Sequence, residues 1–480
     1  MAPLVIPMVI RGRVITDDLV TYPGRGGRMD FQAPDAGKYL GDLILRNPAD
    51  LQDLYELTLD DILDYLAELG TRLDPATNEH VALALDAALD TTNLSRPMQR
   101  RIFRALPTVM RREWLEEMVE YGVGRRYLEG WVEEEMLDRT VSVRAFGARA
   151  VHVIAGNAPT IAVRTVAMNA LSRSDAIIKI PSNDPYFSTA LALTMIEMAP
   201  DHPVTRHLSV AYWKGGDTEF ESRLYDPANL EKIVAWGGFD SMRSIRAYLA
   251  PGLDLIALDP KLSASIVGRA ALASDETMAD ASRRAAADIG FMNQTGCLNA
   301  RVLYLECGTD QAGIEAANRF GQLVFDAMQD LPEDLSSRHP AFDATLKQEI
   351  DGIRYSDDFR IFGGKSDEGA VIVSQDNESV DFADRLDCRV ANIVPVDSIA
   401  DALRRLTIQT QTVGIYPDSL KASVRDECSL RGAQRIVSLG FATAGNWAGP
   451  HDAIEPMRRM VRWIRDDRLA KLSGSIHSVE

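Results

Sequence analysis

Ala176-Ile177-Ile178-Lys179-Ile180, closed by Pro181-Ser182-Asn183, is the stretch on which the fold turns. A short, almost wholly apolar run ended by proline reads as a strand buried on both faces, the kind found inside parallel sheets. The chain around it alternates. Ser188 to Met198 reads as a helix and Leu208 to Trp213 as a strand. Lys232 to Trp236 (KIVAW) is a further strand, ending in Gly237-Gly238 before a helix from about Ser241. Upstream, Thr140 to Ile154 reads as two short strands about Gly147. Alternation of this kind predicts a doubly wound α/β sheet.

Further out, a second α/β block runs from about Ser263 to Leu439, with strands expected at Arg301–Leu305, Ala370–Ser374, Ala391–Val396 and Val413–Tyr416. Asp50 to about Val123 has helical spacing of Leu51, Leu54, Leu57, Ile62, Leu63, Leu66 and Leu69. A helical segment from Met98 to Tyr121 contains Pro107, which is expected to separate two helices. Met1 to Ile10 is apolar but short, with Arg11 and Arg13 after it, and reads as a strand rather than a signal peptide. From Phe441 the chain is glycine-rich, then helical through Met457–Ile464, with a frayed tail expected after Leu469.

With 480 residues, 46% hydrophobic and 25% charged, the chain has ample material for a globular core. A formal charge of −18 argues against nucleic acid, since phosphate contacts need a basic surface. Four cysteines, Cys297, Cys307, Cys388 and Cys428, are too widely spaced for a zinc knuckle or redox pair, so no metal site is expected. So few in so long a chain suit a reducing compartment and a cytoplasmic protein. No apolar run is long enough to span a membrane.

Four places could carry chemistry. Cys297, in Phe291-Met-Asn-Gln-Thr-Gly-Cys297-Leu-Asn, lies on a polar, glycine-containing loop feeding an apolar strand, where a substrate could reach a nucleophilic thiol. Asn157, in Ala155-Gly156-Asn157-Ala158-Pro159, follows a strand and could donate to a developing oxyanion. Lys179 sits at a strand end, where open α/β sheets bind ligands, and suits a ribose hydroxyl or a phosphate. Gly237 and Gly238, before Phe239-Asp240-Ser241, would let backbone N–H groups approach a pyrophosphate at a helix N-terminus, although GxGxxG is missing. Each has a bland alternative: an inert packed cysteine, a Gly-Asn turn, a snorkelling lysine, a bare glycine turn.

Taken in order, these pieces resemble the aldehyde dehydrogenase superfamily, and most closely the acyl-CoA reductase branch typified by the fatty acid reductase of bacterial bioluminescence. The resemblance covers roughly Val141 to Ile464, while the first 140 residues are less diagnostic. It implies an α/β fold of two doubly wound lobes with a helical N-terminal region. Residues 1–262 would form the cofactor-binding domain, with 441–480 returning to it, and 263–440 the catalytic domain. In that family Asn157 of Asn-x-Pro would help form the oxyanion hole and Lys179 would contact the adenosine ribose. Gly237-Gly238-Phe239 would replace the Gly-Ser-Thr pyrophosphate turn, and Cys297 would be the nucleophile. Val396-Asp397-Ser398-Ile399 matches a Val-Asp-Ser segment. Gly449-Pro450-His451-Asp452 and Met460-Val461-Arg462-Trp463 look like the reductase branch, with His451 a candidate proton donor. The resemblance suggests a homo-oligomer.

The departures inform. Hydrolytic members carry a water-activating glutamate in Glu-Leu-Gly-Gly-Lys, where this chain has Ala257-Leu258-Asp259-Pro260-Lys261. A second family glutamate falls near Cys388 and is missing. Lacking a base for water favours holding a thioester for hydride attack. Ser182 and Asn183 stand where an acidic residue would favour NAD, so NADPH is expected, with NADH possible. The expected reaction is reduction of an acyl thioester, from acyl-CoA, a carrier or an acyl-transfer partner protein, through an acyl-Cys297 intermediate to an aldehyde. The rivals are a NAD-dependent aldehyde dehydrogenase making free acid and a non-catalytic acyl-carrying or docking subunit. Cys307, Cys388 and Cys428 read as packing residues.

Overall fold

The computed structural model describes residues 4–25, 29–92, 94–137, 140–444 and 448–468. The run that opened the sequence reading is a strand, Asp175–Lys179, whose Ile177 and Ile178 belong to different apolar clusters on opposite faces of the sheet. A strand with two buried faces cannot alternate apolar with polar, which is why the run is continuous.

We number the strands that position the site β1 (Arg149–Val153), β2 (Asp175–Lys179), β3 (Leu208–Ala211), β4 (Lys232–Trp236) and β5 (Asp254–Leu258). They lie in the order β5-β4-β1-β2-β3, all parallel, and Met8–Ile10 and Arg13–Ile15 extend the sheet antiparallel beyond β3. Helices α1 (Thr160–Leu171) and α2 (Phe187–Met198) are crossovers; every residue of α1 from Ala162 onward is buried, so it is apolar nearly all round. Gly147, between Thr140–Phe146 and β1, has no alternative: a Cβ there would lie 1.8 Å from the Arg173 carbonyl oxygen.

The second sheet contains β6 (Leu262–Val267), β7 (Ala300–Glu306), β8 (Phe359–Gly363), β9 (Ala370–Ser374), β10 (Val390–Val396), β11 (Thr410–Tyr416) and β12 (Arg435–Ser438). Its order is β8-β9-β10-β7-β6-β11-β12, parallel except for the β8–β9 pair. A third, three-stranded antiparallel sheet joins Val132–Glu135, Thr140–Phe146 and Arg462–Arg468.

The N-terminal region is helical over Leu59–Thr71, Glu79–Thr91, Arg96–Val109 and Arg112–Gly122. Thr58 and Asp61 form a capping box at the first of these, and Leu59, Ile62, Leu63, Leu66 and Leu69 form its buried face. Arg173 pins this region to the sheet by donating to the carbonyls of Leu54 (3.0 Å), Leu57 (2.9 Å) and Leu128.

Two expectations need correction. Pro107 does not separate helices: it lies inside Arg96–Val109, in the last turn, and the break comes at Met110-Arg111. Met457–Ile464 is not one helix. The helix stops at Met460, and Arg462–Arg468 is a strand paired along its whole length with Thr140–Phe146. Tertiary pairing overrides a local helical pattern of this length. The helix after Gly238 begins at Phe239, slightly earlier than expected. The tail after Leu469 lies outside the described residues.

Candidate active site

Because β1 to β5 are parallel, the loops after them all leave from one sheet edge, the place where open α/β sheets bind ligands. That edge gathers Asn157 after β1, Lys179 and Ser182 at the end of β2, and Gly237 and Gly238 after β4. Gly156 packs tightly on the loop after β2, since a Cβ there would meet the Asn183 side chain at 2.3 Å.

Cys297 arrives from the second lobe. The helix Asp275–Gly290 ends, and Met292, Asn293 and Gln294 follow with φ of 48°, 52° and 67°. Three successive side-chain-bearing residues in the left-handed region cost on the order of 1–2 kcal/mol each. The surroundings over-determine them. Gln294 donates to the carbonyls of Ala300 (2.9 Å) and Val390 (3.0 Å) and accepts from the Val390 N–H (2.9 Å). Asn293 accepts from the Ser337 N–H (2.9 Å), and the Met292 N–H reaches the Leu335 carbonyl (2.8 Å). Asn299 donates to the carbonyls of Asp288 (3.0 Å) and Phe291 (3.1 Å) and accepts from the Gly296 N–H (3.0 Å). It takes this many bonds to hold three such residues in place.

The turn presents Cys297, half-exposed, to the first lobe. The Asn157 amide donates to the Thr295 carbonyl at 3.3 Å, which places Asn157 against the cysteine loop. An amide nitrogen carries two N–H groups, so a donor is left over. Ser263 Oγ donates to the Cys297 carbonyl (2.7 Å) and accepts from the Thr412 N–H (3.1 Å), tying the cysteine backbone to β6 and β11. Burial raises the Cys297 thiol and the Asp452 charge adds to that, while a Gln411 hydrogen bond, Arg301 and the cysteine's own N–H act against them.

His451 lies on the other side of this group. Its ring centroid is 5.3 Å from that of Trp236, and its Nε2 is 3.8 Å from Asp452. Burial, with Arg164 and Arg435 adding repulsion, pushes the imidazole down to about 3. The ring is therefore neutral at ordinary pH, able to donate one N–H but not an acidic proton.

The strand-end loops fit a dinucleotide. The Lys179 ammonium sits 5.7 Å and 5.4 Å from the ring centroids of Tyr212 and Trp213, and burial lowers it to about 8, only partly offset by Glu221. A partly buried cation beside aromatic faces suits a ribose or phosphate oxygen. The helix Phe239–Arg246 has no side-chain cap, and a Cβ at Gly238 would meet no protein atom, so its first N–H groups stay approachable. Ser182 is half-exposed beside them, and Phe239 is exposed. Asp184, the nearest acid along that loop, turns inward to accept from the Phe187 N–H (3.4 Å) and is raised to about 7 by burial.

In the segment Ala257 to Lys261, Ala257 lies on β5 and Asp259 pairs with Arg246 at 3.0 Å. Near Cys388 the carboxylate is Asp387, which bonds the Cys388 N–H at 2.8 Å, while the Cys388 thiol is buried and pushed up to about 12. Two residues facing Cys297 escaped the sequence reading: Gln411 and Arg301. Thr410-Gln411-Thr412 was legible as polar residues opening an apolar strand, and all three are buried.

Glu79, His80 and Glu197 approach closely enough to share a cation. They lie at the far end of α2 from the strand-end crevice and are largely exposed.

The fold is that of the aldehyde dehydrogenases. Lactaldehyde dehydrogenase from Escherichia coli superposes with a TM-score of 0.71 at 15% identity, covering 97% of this chain and all (100%) of that one. The NADP-dependent glyceraldehyde-3-phosphate dehydrogenase from Bacillus halodurans C-125, complexed with NADP, has a TM-score of 0.71 at 11% identity, covering 96% and 99%. Within that class the chain belongs to the acyl-CoA reductase (LuxC) family, whose profile matches residues 54–463. The long-chain acyl-protein thioester reductase of Photorhabdus luminescens is 27% identical, with 99% of this chain and 96% of the relative covered. That of Vibrio harveyi is 22% identical over 99% and 96%. The chain is thus a reductase of acyl thioesters that works with a nicotinamide cofactor. No helix among the described residues is long and apolar enough to cross a membrane.

Proposed function

We propose that the chain takes an acyl group from a thioester onto Cys297 and releases it as an aldehyde at the expense of NADPH. The observation that carries this is Cys297 on its strained turn, facing the Asn157 loop, with alanine at the position of the water-activating glutamate. The Cys297 thiolate adds to the thioester carbonyl. The spare Asn157 N–H and the Cys297 N–H hold the oxyanion. The donor's C–S bond breaks and its thiolate leaves, taking up from solvent the proton that Cys297 gave up on ionising, and the acyl group remains on the Cys297 sulfur. A nicotinamide cofactor, when bound, would supply hydride to the acyl carbon. The Asn157 and Cys297 donors hold the resulting hemithioacetal oxyanion until the C–S bond breaks and Cys297 is regenerated. His451 positions Asp452 and Trp236 rather than delivering a proton.

Lys179, Ser182 and the uncapped N–H groups at Gly237, Gly238 and Phe239 would hold the cofactor. Neutral Ser182 and Asn183 with the Lys179 cation close by favour a 2′-phosphate, hence NADPH over NADH. Residues up to 262, with 441–480 returning to them, would form the cofactor-binding domain, and 263–440 the catalytic domain. The names of the relatives favour a long chain and a protein-borne thioester, delivered by an acyl-transfer partner, with acyl-CoA the small-molecule equivalent. Trp131, Met136, Leu137 and Ile464, exposed on or beside the three-stranded sheet, suit burial in a homo-oligomer. Free cysteines are consistent with a cytoplasmic setting.

The test follows NADPH absorbance with acyl-CoA thioesters from short to long, with NADH in parallel. Thioester-dependent oxidation with aldehyde as product is the expected result. Reduction of NADP by added aldehyde with release of free acid, and no thioester reduction, would overturn the reading.

A further inference from the structure

Removing the family glutamate does not clear carboxylates from the nucleophile. Asp452 enters from the C-terminal segment on a tight turn closed by reciprocal backbone bonds between His451 and Ile454 (2.8 and 3.0 Å). Asp452 and Ala453 have φ of 51° and 60°, and the Asp452 side chain is only 5% exposed. The turn therefore aims a carboxylate into the protein beside Cys297. Between the two stands Gln411, 4% exposed on β11. Its Nε2 donates to Asp452 Oδ1 at 2.6 Å, a short charge-assisted bond, and its side chain also hydrogen-bonds the Cys297 thiol. The Ser263 bridge fixes the cysteine carbonyl to Thr412, the residue after Gln411, so the three groups keep one spacing.

We propose that Gln411 decides the fate of the acyl group: its amide holds the Asp452 carboxylate away from the acyl-cysteine, so that the thioester waits for hydride instead of water. The proposal rests on the reading of Cys297 as the acyl carrier. Freed of Gln411, Asp452 can take a proton from water. The hydroxide adds to the acyl carbon, the C–S bond breaks, a carboxylic acid leaves, and the Cys297 thiolate recovers the proton from Asp452. No oxidant or reductant is consumed. The other charged groups facing Asp452 are Lys261, Arg164 and Asp259, with neutral His451 at its side. Arg301 faces Cys297.

The experiment loads full-length protein with myristoyl-CoA without NADPH and follows acyl-Cys297 by intact mass and free acid by chromatography. Gln411→Leu is expected to shorten the acyl-enzyme lifetime at least tenfold and to release acid, and adding Asp452→Asn is expected to restore the original lifetime. Gln411→Met serves the same purpose with a more pliable side chain if leucine disturbs the strand. Unchanged lifetimes in both Gln411 variants, or fast hydrolysis that survives Asp452→Asn, would overturn the proposal while leaving the acyl-cysteine intact. Wild-type protein that never acylates would remove the reading beneath it.

Discussion

Met292, Asn293 and Gln294 hold backbone conformations that L-residues avoid, and Gln294 alone makes three of the bonds that keep them there. Gln294→Leu removes three hydrogen bonds to buried backbone groups, leaving the Val390 N–H only its bond to the Asp387 carbonyl (3.1 Å). The expected loss of stability is about 3 kcal/mol or more, read by urea denaturation, with acylation of Cys297 slowed in parallel. Asn157 behaves differently. It is exposed and makes one long bond, so Asn157→Ala is expected to leave the melting temperature unchanged. It should lower kcat on the order of 100- to 1,000-fold through the lost oxyanion donor, as steady-state kinetics would show. At this scale the sequence made Cys297 and Asn157 legible by their local contexts. Gln411 was not, because its meaning lies in Asp452, 41 positions away along the chain.

Elements carry a second kind of claim. Gly238 opens the helix Phe239–Arg246, and a Cβ there would touch no protein atom. Gly238→Val is therefore expected to fold normally. It should weaken NADPH binding at least tenfold in a fluorescence titration, because the added methyls stand where the pyrophosphate must approach the N–H groups. The strand Arg462–Arg468 covers one edge of Thr140–Phe146, so truncation after Val461 is expected to yield insoluble or strongly destabilised protein, measured by soluble yield and melting temperature. The parallel strands were readable because burial on both faces imposes continuous apolar runs. Arg462–Arg468 was not: Arg-Trp-Ile-Arg-Asp-Asp-Arg has no apolar face, and only its partner makes it a strand.

At the scale of the molecule, two lobes meet where strand-end loops of one face the Cys297 turn of the other, and acid should loosen the first of them. His152 is wholly buried in β1, and burial lowers it from 6.5 to about 4. The unfolded chain binds the extra proton between those values. The stability is thus complete above about pH 6.5 and is lost as pH falls through about 4, a change of roughly 3 kcal/mol. Asp288, raised to about 6 by burial, acts in the opposite sense and softens the slope. His152→Met is expected to flatten the dependence of unfolding free energy on pH between 6.5 and 4. The two-lobed α/β architecture was legible from the alternation of strands and helices. The meeting of the lobes was not, since no local pattern specifies which loop faces which.

The most direct measurement mixes the protein with a long-chain acyl-CoA in the absence of cofactor and maps the adduct by peptide mass spectrometry, then adds NADPH. The account predicts one acyl group, on Cys297, that disappears on NADPH addition as an equal amount of aldehyde forms, and no adduct in Cys297→Ala. An adduct on another residue, or aldehyde production that survives Cys297→Ala, would contradict it.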